Sequence, residues 1–233
     1  FFKDEENIVR FDMSEYQAND ALNRLIGSFS ENKPGILASS LREKPYGLLL
    51  MDEFEKTNPE VLNLFLHILD EGFFTDAFGK KINARNVIFI ATSNAGANFI
   101  WDFVKQGINP VGMKEQILDK IRGQGIFKPE LLNRFDGIII FHPLTDDHLK
   151  KIAGFMFNKL QKRLEEKDIE LVINDPLLDF MVKVGSDPVF GARPMQRAIQ
   201  DKIEQYVAKK IISGEIKRGS RVEFTQEDLN NME

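Results

Sequence analysis

The sequence predicts an α/β protein: a three-layer parallel sheet, followed by a smaller and mainly helical region with a short terminal strand. Three observations predict it. Runs at residues 8–11, 47–51, 87–91 and 137–141 read as buried strands, and the run at 47–51 has the unbroken hydrophobicity of a strand buried on both faces. Helical patterns lie between these runs, and such alternation builds a parallel sheet covered by helices. After His142-Pro143-Leu144-Thr145 the strand runs give way to long, charge-studded amphipathic segments. We therefore divide the chain into residues 1–144 and 145–233.

Each element has a local reason. Thr57-Asn58-Pro59 opens a helix, with Asn58 as N-cap and Pro59 at the first helical position. The following segment, residues 61–69, is apolar almost all round and should be buried, with Gly72 as its stop. Beyond the boundary, residues 146–167, 175–184 and 192–213 read as helices, the last ended by Gly214. Residues 218–224 read as a short strand.

Composition narrows the class. A chain of 233 residues suits one large domain or two small ones. With 20 Phe against 3 Tyr and 1 Trp, the core should be built on phenylalanine. A net charge of −5 argues against a broad nucleic-acid footprint. The absence of Cys removes disulfides and thiolate metal sites from consideration and is compatible with a reducing compartment. No apolar run approaches membrane-spanning length, and Phe1-Phe2-Lys3-Asp4-Glu5-Glu6 is not a signal peptide. The chain lacks an initiator Met, so we expect a fragment or a processed piece.

The candidate chemistry centres on Tyr46-Gly47-Leu48-Leu49-Leu50-Met51-Asp52-Glu53-Phe54-Glu55-Lys56. Ligands of α/β sheets bind beyond the carboxyl ends of the strands. Asp52 stands where a carboxylate holds Mg²⁺ through its water shell, and Glu53 where one polarises an attacking water. This is the Walker B pattern, although apolar-Asp-Glu also ends ordinary strands. Thr92-Ser93-Asn94 follows the run at 87–91 and either contacts a phosphate or a water, or caps the helix near Ala97. Arg134 can stabilise a transferring phosphoryl group across a subunit boundary, or can pair with Asp136 or Glu130. Arg193, in Gly191-Ala192-Arg193-Pro194, either projects from a helix start toward a ligand or is a surface residue in a turn. His67, His142 and His148 have no metal-ligand spacing. No HExxH or GxSxG occurs.

Taken in order, these motifs resemble one family. They are Phe11-Asp12-Met13-Ser14-Glu15-Tyr16, Leu25-Ile26-Gly27, Met51-Asp52-Glu53-Phe54-Glu55-Lys56, Thr92-Ser93-Asn94-Ala95-Gly96, the run 127–136 and the run 187–194. Together they resemble the second ATPase module of Clp/Hsp100 AAA+ unfoldases of the ClpB/ClpC type, over nearly the whole chain. The resemblance implies an AAA+ large subdomain and a small lid subdomain. It also implies a cytoplasmic homo-hexamer that hydrolyses ATP with Mg²⁺ and threads unfolded or aggregated proteins through its pore. By that match Asp52 is the magnesium-side acid, Glu53 the catalytic acid and Asn94 the sensor. Arg134 is the finger reaching a neighbour's nucleotide, and Arg193 the second sensor on the lid. Neither nucleic acid nor membrane is an expected partner.

Three departures accompany the match. No GxxxxGK[ST] phosphate loop occurs in these residues, so a central strand and its nucleotide cradle are expected to be missing from this stretch. Residues 27–35, at the place of the substrate-gripping loop, carry no Tyr. Phe29 or Ile36 would have to substitute, and the Phe-rich run 72–79 competes between a pore-facing and a core-packing role. Val111-Gly112-Met113 reads as a turn before a helix at 114–122, which weighs against docking to a Clp-type peptidase. A degenerate subunit that assists intact copies without catalysis is the alternative function. A nucleic-acid-acting relative such as a clamp loader is disfavoured by the net charge.

Overall fold

Strand β1 (Ile8–Asp12) opens the first of two units, Phe1–Phe141, in a computed structural model that describes residues 7–187 and 190–232. Helix α1 (Ala21–Ile26) follows and runs into an antiparallel ribbon, β2 (Gly27–Ser28) with β3 (Lys33–Pro34). Gly27 has φ 105°, and a Cβ there would come within 3.0 Å of the Gly35 N and the Lys33 O. Only glycine fits that crossing. Helix α2 (Ile36–Glu43) leads to β4 (Gly47–Asp52).

Helix α3 (Pro59–Glu71) starts as its sequence predicts. Asn58 Oδ1 accepts from the Glu60 N–H at 2.9 Å, and Gly72 closes the helix in the left-handed region at φ 73°. A hairpin of β5 (Phe73–Thr75) and β6 (Lys81–Asn83) then returns the chain to β7 (Val87–Ala91). Helices α4 (Ala97–Lys105), α5 (Lys114–Gly123) and α6 (Pro129–Leu132) complete the unit.

The sheet is parallel, in the order β1-β4-β7. Its register aligns Ile8, Leu48 and Ile88, then Arg10, Leu50 and Ile90, and sets Asp12 beside Asp52. Alternate residues point to opposite faces. Phe11, Leu49 and Met51 point into a core with Leu37, Leu41, Phe54, Phe65 and Phe127. Phe54 stacks on Phe127 at 5.9 Å and meets Phe65 edge-on at 5.5 Å, so the core is built on phenylalanine as composition predicts. The other face carries Ile8, Leu48, Leu50, Ile88 and Ile90, none of which joins that core. Ile88 and Ile90 are 46% and 41% exposed.

The fourth predicted strand, at 137–141, is not formed: these residues join no ladder, and Ile139 and Phe141 are both more than 80% exposed. The apolar pattern is that of a strand. A strand exists only through its partner, and β7 ends the ladder among the described residues.

The second unit spans His142–Glu233. Helix α7 (Asp146–Glu165) begins with a reciprocal cap between Thr145 and His148. Strand β8 (Glu170–Leu171) and helix α8 (Asp175–Gly185) follow, and Asn174 caps α8 by accepting from the Leu177 N–H at 3.1 Å. The predicted helix at 192–213 starts later, at α9 (Met195–Ala198), with Pro194 as its N-cap. It passes through a π-helical stretch, Ile199–Glu204, into α10 (Gln205–Ile212). The strand expected at 218–224 shortens to β9 (Arg221–Val222), which pairs in parallel with β8. Helix α11 (Gln226–Asn230) is an addition to the expected elements, although Thr225 and Asp228 form a capping box that marks its start. Phe157, Leu177, Met181, Met195, Ile203 and Leu229 close a core of their own. Within the expected run 187–194, Pro188 and Val189 lie outside the described residues.

Candidate active site

The acid pair stands at the carboxyl end of β4, where the chain reverses. Phe54 is 1% exposed and must turn into the core immediately after the strand. Glu53 makes that reversal in the left-handed region, at φ 56° and ψ 44°. A non-glycine residue there costs about 1–2 kcal/mol. The turn projects Asp52 and Glu53 past the sheet edge, with Asp52 only 19% exposed at its side chain and Glu53 32%.

Two cations hold the pair. Arg10 lies two residues before Asp12 on the neighbouring strand, on the same face, and grips Asp52 Oδ2 through Nε and Nη2, both at 2.6 Å. Lys56 Nζ donates to Glu53 Oε2 at 2.6 Å, and this bond raises the Lys56 pKa above its ordinary value. Neighbouring Asp12 accepts from both the hydroxyl and the N–H of Ser14, which holds its carboxyl below the usual range.

The end of β7 closes the other side. Thr92 Oγ1 donates to Asp52 Oδ1 at 2.9 Å, and Asn94 N–H donates to Glu55 Oε1 at 3.2 Å. Glu55 Oε2 is buried without a hydrogen-bond partner among the described residues. Ser93 accepts from the Ala95 N–H at 3.0 Å, so the turn into α4 is also locally braced. The structure thus brings Asp52, Glu53 and the Thr92–Asn94 segment together. Reading the sequence missed Arg10, Glu55 and Lys56. The parallel register supplies the signal for Arg10, and the (i, i+3) spacing that for Lys56.

Arg134 pairs through Nε with Asp70 Oδ1 at the carboxyl end of α3, not with Asp136 or Glu130. Its side chain stays half exposed. Arg193 belongs to the second unit, where it is exposed in a turn. That turn is tied by the Asp187–Gly191 bridge and by its own N–H to the Phe190 carbonyl at 3.2 Å. Arg193 therefore precedes α9 instead of opening a helix.

The two candidate gripping loops resolve differently. Phe74 is 1% exposed in the core, and Phe73 lies beneath Lys81 Nζ at 3.3 Å. Phe29, at the tip of the β2–β3 ribbon, is 75% exposed and meets Phe78 at 6.0 Å between ring centroids.

The donor set fits a hard divalent cation held from one side. Asp52 and Glu53 offer carboxylate oxygens, and their cationic partners sit on exposed, easily displaced side chains. No group of three or more His, Cys, Asp or Glu forms a cage among the described residues. Mg²⁺ is typically held that way, by one or two carboxylates with waters and phosphates. No described helix is long and apolar enough to cross a membrane.

Comparison with known proteins identifies the family. The family described as AAA domain (Cdc48 subfamily) matches residues 1–138, and the C-terminal, D2-small domain, of ClpB protein matches residues 144–224. The chaperone protein ClpB of Vibrio cholerae is 39% identical over 98% of the chain. ClpB 2 of Nostoc sp. is 41% identical over 95%, and ClpB of Nitratidesulfovibrio vulgaris 40% over 95%. The chain spans only about a quarter of these relatives, 26–27% of their length. The chain belongs to the AAA family, as a second ATPase module of the Clp/Hsp100 type.

Proposed function

We propose that this chain is the hydrolytic edge and lid of an ATP-driven protein unfoldase or disaggregase. The observation that carries the reading is the left-handed Glu53, which presents two adjacent carboxylates beyond β4 within a bonded frame. Asp52 would hold Mg²⁺ through water, and Glu53 would accept the proton of the attacking water. Bound Mg²⁺ and ATP supply the phosphate and the neutralisation of its charge. Arg10 and Lys56 hold the two carboxylates in position, and Lys56 must release Glu53 before that carboxylate takes a proton.

Asn94, fixed through its backbone by Glu55, would sense the phosphate end. Arg134, half exposed and tied to Asp70 in its own chain, would act on a neighbour's nucleotide. Arg193 would reach the nucleotide from the lid. These roles suit a cytoplasmic homo-hexamer acting on unfolded or aggregated proteins, with Phe29 as the aromatic that touches the substrate. Val111-Gly112-Met113 lies in a single 3₁₀ turn, Pro110–Met113, and neither a peptidase nor a nucleic acid is proposed as a partner.

In the full translated polypeptide, Glu53→Gln should retain ATP binding and lose turnover by about 10²-fold or more. Steady-state ATPase and nucleotide-binding measurements check this, and parental turnover in the variant would remove Glu53 from its role.

A further inference from the structure

We infer that Thr92 is a positioning residue for the acid pair, a reading that rests on the hydrolytic site proposed above. This one residue bonds to all four consecutive residues of the acid turn. Its N–H donates to the Met51 carbonyl at 2.9 Å, and its carbonyl accepts from the Phe54 N–H at 3.0 Å. Its hydroxyl donates to Asp52 Oδ1 at 2.9 Å and accepts from the Glu53 N–H at 3.3 Å. The backbone pair aligns the two strand ends. The hydroxyl pair does something separate: it holds the carboxylate of one acid and the backbone of the other.

Glu53 needs such a hold. Its left-handed conformation is disfavoured for any side chain, so it persists only where its surroundings fix it. Glu53 N–H is the group that moves if the peptide relaxes, and the Thr92 hydroxyl is its acceptor. Relaxation would swing the Glu53 carboxylate away while leaving Phe54 in the core. A β-branched side chain suits the task, because its χ1 is stiff and the hydroxyl keeps its direction. The hydroxyl's one proton is thereby committed to Asp52, which leaves it no donor for a phosphate oxygen.

The test compares Thr92→Val, which keeps the shape and removes the hydroxyl, with Thr92→Ser, which keeps the hydroxyl. Amide hydrogen exchange on this 233-residue chain should show Glu53 exchanging about tenfold faster in Thr92→Val. The Phe54 amide should stay parental, since its bond to the residue 92 carbonyl is untouched. In the full translated polypeptide, Thr92→Val should lose roughly 10²-fold in ATP turnover with nucleotide affinity within a few-fold of the parent. Thr92→Ser should recover most of that turnover.

Parental exchange at Glu53 in Thr92→Val overturns the proposal, and so does parental turnover. Lost turnover with an unchanged Glu53 amide would place the hydroxyl on the ligand and also overturns it. Faster exchange throughout the first unit, or failure of Thr92→Val to fold, would assign the hydroxyl to the fold at large and overturn it as well. Failure of the functional reading is distinguishable, because there Glu53→Gln itself turns over like the parent.

Discussion

The two units cover their apolar surface to different degrees. In His142–Glu233, helices α7, α8 and α9 with the small β8–β9 ladder enclose a core in which Phe157, Leu177, Met181 and Met195 have no measurable exposure. In Phe1–Phe141 the sheet buries one face and leaves Ile8, Ile88 and Ile90 at 41–46% exposure on the other. Equal hydrophobicity therefore does unequal work. A buried side chain contributes through both transfer from water and close packing, whereas a half-exposed one contributes only a fraction of either.

The strongest way to break this contrast is to truncate one residue on each side of it. Phe157→Ala should destabilise the second unit by about 3–5 kcal/mol, while Ile88→Ala should cost less than about 1 kcal/mol in the first. Denaturant unfolding, followed by probes placed in each unit, measures both. Comparable losses would mean that the face bearing Ile88 is covered in solution. Helix caps should be indifferent to the contrast, because they are local. Asn58→Ala and Asn174→Ala, one in each unit, should each cost about 1 kcal/mol by thermal unfolding. A large inequality between them would tie capping to the closure of the core.

The smallest effect is electrostatic and confined to the second unit. The hydroxyl and N–H of Thr225 hold the Asp228 carboxyl below its ordinary range. A depressed folded pKa stabilises above the unfolded pKa and loses its effect as pH falls through the folded one. The contribution should thus be complete at neutral pH and fade in acid below the ordinary carboxylate range. Thr225→Ala should raise the Asp228 pKa in an NMR titration of the carboxyl carbon, and an unmoved titration would refute the assigned cause.

How much is legible in the sequence follows from the range of each interaction. The Asn58-Pro59 start, the Gly72 stop and the acids after the apolar run 47–51 are local, and each stands where the residues predict. Segment 137–141 shows the limit of local pattern, since its residues are right for a strand but pairing depends on a neighbour. The partner of Arg134 escapes prediction for the same reason, because Asp70 is brought to it only by the tertiary fold. Arg10 is within reach, as an in-register parallel neighbour on the same face, but only once the register is known. The Thr225–Asp228 cap is a local signal, visible in the sequence and absent from the elements expected of it.

The backbone at Glu53 has a consequence for how this sequence tolerates change. A left-handed residue would lie more comfortably as glycine, which removes the steric penalty at the same position. Glu53→Gly therefore offers the folded chain relief of about 1 kcal/mol, offset in part by the greater freedom of the unfolded chain. The carboxylate it would delete is the one assigned to the chemistry. Screens that reward thermal resistance alone would find no fault with the glycine, and would remove the carboxylate proposed for the chemistry without any sign of damage to the fold.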